Sequence, residues 1–230
     1  MTDSRMFGRR FPPSLLAAGA VFLAALILPA LVSGYGIRIL NLALISAIAV
    51  IGLNFAFGYA GLITLAQAGF VGCGAYMSAI LSTSLGISPW LSIPAAVVGT
   101  GIIAVVIGLP MLRLKGHYLA LATLGFNVSF VIVATNWKTV MGGTDGISGI
   151  PRPFPAPTPL TYNAWFLALI TAVVAVVFLA LRRLERAPYG RALRAIREDQ
   201  QVAAVAGKSV TRFKAEAFAL SAAIAALAGA

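Results

Sequence analysis

The sequence predicts an all-α fold, a polytopic transmembrane helical bundle of about seven spans with its N-terminus in the cytosol. Three observations predict it. Of the 230 residues, 60% are hydrophobic and only 10% charged, against roughly 25% charged in a soluble domain, and mean hydropathy is +0.95. The apolar residues form long continuous runs rather than ~10-residue alternating stretches, which selects helices over a barrel because each segment satisfies its own backbone in lipid. The basic residues sit in short segments beside those runs, the pattern of membrane topology.

The first apolar run, Leu15 to Val32, follows Arg5, Arg9 and Arg10. A signal peptide shares that basic start, but the 18-residue run behind Phe11-Pro12-Pro13 favours a retained helix. The second runs from Ile39 to Phe57 and the third from Leu62 to Leu81. Gly58-Tyr59-Ala60-Gly61 joins them, as either a tight turn or a broken, re-entrant helix. The fourth, Trp90 to Leu112, starts after Ser88-Pro89, where proline suits a helix start. The fifth spans Tyr118 to Trp137, and a Gly- and Pro-rich outer loop covers 138–159. The sixth, Ala164 to Leu181, holds Thr171 as its one polar residue. A seventh begins near Ala215 and is still apolar at Ala230, short of the ~20 residues a crossing needs, so the chain is expected to be truncated within it. The expected organisation is a cytosolic N-terminus (1–14), a six-span transmembrane domain (15–181), a cytosolic loop (182–214) and the start of a further span (215–230).

Charge sets the orientation. With the N-terminus inside, fourteen of the seventeen Lys and Arg residues fall on cytosolic segments, and only Arg38, Lys138 and Arg152 fall elsewhere. That is the positive-inside distribution. The net charge of +11 is therefore topological, and no nucleic-acid partner is expected.

The six acids are Asp3, Asp145, Glu185, Glu198, Asp199 and Glu216, none in the middle of a span. A proton-driven carrier normally buries an acid or histidine there, so that class is disfavoured, although carbonyl-bound sodium stays open. Thr64, Gln67, Gly74 and Ser78 follow helical spacing in the third segment, as do Ala120, Thr123 and Asn127 in the fifth; Asn54 belongs to the second. Two readings stand for these residues. They form packing seams with Gly69, Gly72 and Gly74, or Asn54, Thr64, Gln67, Thr123 and Asn127 face a polar solute pathway. The glycine cluster is not a dinucleotide turn, because no strand precedes it. His117, without an acid partner, reads as interfacial. One cysteine (Cys73) and one histidine cannot build a metal site, no nucleophile–base–acid set assembles, and no enzyme or bound cofactor is expected.

The 182–214 loop is the informative segment. Ala187-Pro188-Tyr189-Gly190 breaks the sixth helix, and Arg191 to Ala206 reads as a short helix closed by Gly207. Arg191, Arg194 and Arg197 share one face, Leu193 and Ile196 the other, and Glu198 and Asp199 follow. Anionic lipid would explain the arginines. A helix with acids at its centre, returning at once to a span, fits a docking element for a cytosolic partner.

At this loop the sequence resembles the permeases of branched-chain amino acid ABC importers, most closely their M-type subunit. The residues are Tyr189-Gly190-Arg191-Ala192-Leu193-Arg194-Ala195-Ile196-Arg197-Glu198-Asp199, Ala206-Gly207 and Phe218-Ala219-Leu220-Ser221-Ala222. Three further stretches are similar: 58–76 around Gly58-Tyr59-Ala60-Gly61-Leu62, 115–124 from Lys115-Gly116-His117-Tyr118, and 142–151 from Gly142-Gly143-Thr144-Asp145-Gly146. Gln67 departs from the pattern, where histidine is common. The resemblance covers about Ile39 to Ala230. It implies a multi-pass permease of the bacterial inner membrane that moves leucine, isoleucine and valine. Its implied partners are a second permease subunit, two cytosolic ATPase subunits and a periplasmic solute-binding protein. Arg191, Arg194, Arg197, Glu198, Asp199 and Gly207 would be the ATPase-coupling residues, and Gly143, Thr144, Asp145 and Gly146 the binding-protein side. ATP would be used by the partners alone, as no phosphate-binding Gly-Lys-Ser/Thr loop is present. A urea or short-amide permease of the same family, or a self-contained channel or ion-coupled carrier, are the alternatives.

Overall fold

The computed structural model describes residues 34–114, 116–154 and 158–230. The first apolar run, the N-terminal arginines and Lys115 lie outside the described residues. Long helices dominate: α1 (Gly34–Asn54), α2 (Gln67–Thr83), α3 (Pro89–Met111), α4 (His117–Asn136), the short α5 (Lys138–Met141), α6 (Pro159–Arg186), α7 (Pro188–Glu198), α8 (Gln200–Val205) and α9 (Val210–Gly229). A π-helical turn, Phe55–Tyr59, extends α1, and a 3₁₀ turn, Gly143–Asp145, follows α5.

Four helical stretches are long and apolar enough to cross a membrane: Gly34–Tyr59, Pro89–Met111, His117–Asn136 and Thr161–Arg186. The predicted third and seventh segments are helical as well, but neither belongs to this set. At 17 residues, α2 reaches about 25 Å at 1.5 Å per residue, less than the ~30 Å hydrocarbon layer. Helix α9 starts five residues before the predicted Ala215 and so takes in Arg212, Lys214 and Glu216, with Arg212 Nε donating to Glu216 Oε1 at 2.8 Å one turn on.

That helix is the hub. It packs against α3, α2 and α1, while α2 also meets α3 and α4, and α6 lies on α1. Lipid tails are as apolar as leucine, so these contacts rest on close van der Waals fit rather than on expulsion from water. Small residues supply the fit. A Cβ built at Gly74 would stand 2.4 Å from Ala226 Cα, so α2 and α9 touch through their backbones. Phe70 packs edge-on against Phe218 at 5.4 Å and lies 5.0 Å from Phe126. These rings join the π-turn residues Phe55 and Ala56 and Leu193 of the 182–214 loop in one buried cluster.

Between the π-turn and α2 the chain is not helical. Residues 61–66 form neither helix nor strand, with Leu62, Thr64 and Ala66 buried and Gly61, Ile63 and Leu65 exposed. The joint is thus a broken helix, and the predicted third segment begins five residues too early. Thr64 therefore does not share a helical stripe with Gln67. Periodicity misses the segment because a short apolar run reads alike in either conformation.

Candidate functional site: the broken helix and the docking loop

Two structures at one end of the bundle carry the candidate functional residues. The first is the break itself. The π-turn closes with Leu62 N–H donating to Ala56 O at 3.0 Å, and Gly61 takes φ +66°, where a side chain is strained. Thr123 on α4, fully buried, anchors the 61–66 segment. Its Oγ1 accepts from Leu65 N–H at 2.9 Å and donates back to its own helix, at 2.9 Å from Leu119 O. Thr64 Oγ1 accepts from Ala66 N–H at 3.2 Å. Gln67, in the first turn of α2, donates through Nε2 to Ala49 O at 2.7 Å, and its Oε1 accepts from Ser221 Oγ at 3.3 Å. One amide thereby links α1, α2 and α9. Asn127 sits over Gly69, where its Oδ1 would be 3.4 Å from a Cβ.

The structure brings Thr64, Gln67, Thr123 and Asn127 together around the break. Asn54 lies apart from them, in a pocket between α1 and α6. Gln67 and Thr123 spend their polar atoms on neighbouring elements, so both hold packing seams. Irregular backbone at membrane depth occurs only where protein buries it or water lines it, and π-turns concentrate at functional positions.

The second structure is the loop beyond α6. Ala187 breaks the helix with ψ 165°, and Pro188 starts α7 at its first position. The helix thus begins three residues before the predicted Arg191, and Pro188, Tyr189 and Gly190 form its first turn. Gly190 is needed for contact, since a Cβ there would lie 2.1 Å from Glu185 O. Leu193 and Ile196 are fully buried, as the pattern predicts. Tyr189 lies 5.4 Å from the Phe213 ring, and burial, with Glu216 nearby, pushes its hydroxyl up to about 12.

The single helix predicted from Arg191 to Ala206 is in fact two. Asp199 is extended and caps α8, its Oδ1 accepting from Gln201 N–H at 2.7 Å and Val202 N–H at 3.1 Å. A capping aspartate offers the backbone an alternative to a continuous helix. Gly207, at φ +78°, ends α8 as predicted. Lys208 N–H reaches Ala203 O and Gly207 N–H reaches Ala204 O, both at 3.0 Å, the paired bonds of a Schellman closure.

The arginines divide by target. Arg197 turns inward, its guanidinium donating to Gly58 O in the π-turn; a Cβ at Gly61 would press within 3.0 Å of Arg197 Cγ. Arg194 stands 3.8 Å from Glu185 with its side chain 48% exposed. Arg191 donates to Arg186 O at 3.2 Å. Outward, Glu198 and two valines are exposed, Val202 at 65% and Val205 at 91%. Sequence reasoning passes over these valines. Ala203 points inward, so the helical period places Val202 and Val205 outside.

The outer loop is fastened at its far end. Trp90 Nε1 donates to Pro153 O at 2.8 Å, and the Arg152 guanidinium lies 4.9 Å above the Tyr162 ring. Gly143 is buried, Thr144 and Asp145 are exposed, and Gly146 N–H donates to Gly143 O at 3.4 Å. Among the described residues there is no group of three or more His, Cys, Asp or Glu able to hold a metal.

Residues 35–230 match the family described as "Branched-chain amino acid transport system / permease component". The chain is 34% identical over 233 residues to "High-affinity branched-chain amino acid transport system permease protein LivM" of Salmonella typhimurium, and equally to the protein of that name in Escherichia coli. Each match covers 91% of this chain and 55% of the relative. It is 27% identical over 213 residues to "Probable branched-chain amino acid transport permease protein LivM" of Methanocaldococcus jannaschii, covering 78% of the chain and 61% of the relative. The chain spans about half the length of the bacterial relatives it matches. No solved structure gives a significant match. The match takes in the broken helix, the outer loop and the docking loop together, and this chain belongs to the branched-chain amino acid transport permease family.

Proposed function

We propose that this chain is a membrane-spanning permease subunit of an ABC importer that carries leucine, isoleucine and valine across the bacterial inner membrane. The observation that carries the proposal is the docking loop: a capped helix pair seated by Leu193 and Ile196, tied to the broken helix through Arg197, and presenting charge beside bare valines. Exposed apolar side chains on a polar element mark a contact surface. Arg191, Arg194, Glu198 and Val205 would meet a cytosolic ATPase subunit, while Asp199 and Gly207 hold the shape and Arg197 carries movement to Gly58.

In this reading the N-terminus is cytosolic, and the run at 15–32, α2 and α9 complete seven spans with the four candidate ones. The chain divides as 1–14, 15–181, 182–214 and 215–230 into N-terminus, permease domain, coupling loop and further span. A second permease subunit covers the exposed apolar faces, two ATPases supply the energy, and a periplasmic binding protein meets Gly143, Thr144, Asp145 and Gly146. Solute passes beside residues 61–66, where Thr64, Gln67, Thr123 and Asn127 meet. Broken helices with free backbone polar groups are a recurrent way to line such a site.

The test is the double variant Arg194→Ala/Glu198→Ala in the complete transporter. Uptake of radiolabelled leucine is expected to fall at least tenfold while the permease still inserts in the membrane. Normal uptake would remove the docking role. Urea and acetamide as competitors are expected to leave leucine uptake unchanged.

A further inference from the structure

The pocket that holds Asn54 has a chemistry the broken helix does not use. It encloses about 250 Å³ between the π-turned end of α1 and the last turns of α6. Arg182 and Glu185 stand at its rim, three residues apart on α6 and so neighbours on one helix face. Glu185 has the Tyr59 hydroxyl nearby and Arg194 at 3.8 Å, and its carboxylate keeps acceptor positions open. Arg182 makes no hydrogen bond or ion pair with any described residue, and neither does the Asn54 side chain. Gly58 leaves room for that amide, since a Cβ there would lie 2.5 Å from Asn54 Oδ1. The remaining walls are apolar, formed by Ile51, Phe55, Phe178 and Leu181.

A cation and an anion at adjacent positions on one rim, over an apolar hollow, match a molecule with both charges at one end and a hydrocarbon at the other. We propose that this pocket is a binding site for a zwitterionic α-amino acid with an aliphatic side chain: Arg182 receives the carboxylate, Glu185 the ammonium, and Ile51, Phe55 and Phe178 the side chain. The site rests on the importer reading above for its solute and its side of the membrane. In that topology the ends of α1 and α6 face the cytosol, so it holds solute on the inner side, between the π-turn and α6. Its volume lies below the 300–1,000 Å³ typical of drug-sized ligands, as a small amino acid requires. The Arg182 guanidinium and the Asn54 amide, without partners among the described residues, are the groups that gain bonds on binding. Lipid headgroups bearing phosphoethanolamine share the paired charges but carry no aliphatic side chain beside them.

The experiment is calorimetric titration of the complete transporter in nanodiscs without binding protein, with parallel ATP-driven leucine uptake. Leucine is expected to bind saturably. Isoamylamine, which lacks the carboxylate, and 4-methylpentanoate, which lacks the ammonium, are expected to bind at least tenfold more weakly, the loss of one charge-assisted contact. Arg182→Gln, at a side chain with no partner among the described residues, and Ile51→Trp, which fills the hollow, are each expected to weaken leucine binding tenfold or more. O-phosphoethanolamine is expected not to compete. The site is refuted if a complex that accumulates leucine binds none, if the amine or the acid alone binds as well, if Arg182→Gln changes nothing, or if O-phosphoethanolamine competes like leucine. Loss of leucine uptake by the intact complex would instead refute the importer reading.

Discussion

Single atoms decide several of the contacts that hold this bundle. Gly74 lets α2 and α9 meet at backbone distance, and any side chain there must push one helix away. Gly74→Leu is expected to lower the melting temperature sharply or prevent accumulation. Gly125→Ala is the matched comparison, because its Cβ would enter open space. In a helix that change stabilises by about 0.5–1 kcal/mol, so thermal melting should separate the two. Thr123 is a second decisive atom. Thr123→Val keeps the shape but leaves Leu65 N–H without its acceptor, at a cost of about 1–3 kcal/mol, and Thr123→Ser should recover most of it. Asp199 is a third, legible in the sequence only as a charge. Its structural work is capping, so Asp199→Ala should cost about 1 kcal/mol whereas Asp199→Asn should cost little. If Asn and Ala behave alike in thermal melts of the complex, the negative charge and not the cap is what matters.

At the scale of elements, the docking loop was the most legible part of the chain. Leu193 and Ile196 lie on the face opposite Arg191, Arg194 and Arg197, a pattern with only one helical solution, and Gly207 stops the helix where expected. What the pattern missed was local competition: proline moved the start to Pro188, and aspartate split the helix at 199. The broken segment 61–66 was harder. Its residues are apolar throughout, apart from Thr64, and the buried–exposed alternation exists only once α4 offers Thr123 to Leu65. The grouping of Thr64, Gln67, Thr123 and Asn127 was foreseeable only in part, and Asn54 lies instead in the pocket between α1 and α6. Seating of the docking loop is open to test. Ile196→Asp puts a charge at a fully buried position, and is expected to release α7 to limited proteolysis while α1, α3, α4 and α6 stay membrane-embedded.

At the scale of the whole molecule, composition announced a membrane protein before any residue was placed, and four long apolar helices agree. The central position of α9 was not legible. Its role depends on small residues such as Ala217, Ala222 and Ala226 being buried from several sides at once, and a one-dimensional apolar pattern does not record how many neighbours a face has. The sidedness proposed from charge can be checked with single cysteines in a Cys73→Ser background. Val205→Cys is expected to react with an impermeant maleimide only from the cytosolic side, and Asp145→Cys only from the other. The proposal that joins these scales is that the 182–214 loop makes this permease depend on ATP hydrolysed by another subunit. It is tested most directly by leucine accumulation in proteoliposomes holding the full transporter, with binding protein outside, compared with liposomes holding the permease subunits alone. The account predicts accumulation only in the full system and only with ATP inside. Equal leucine entry into liposomes without the ATPase subunits would contradict it.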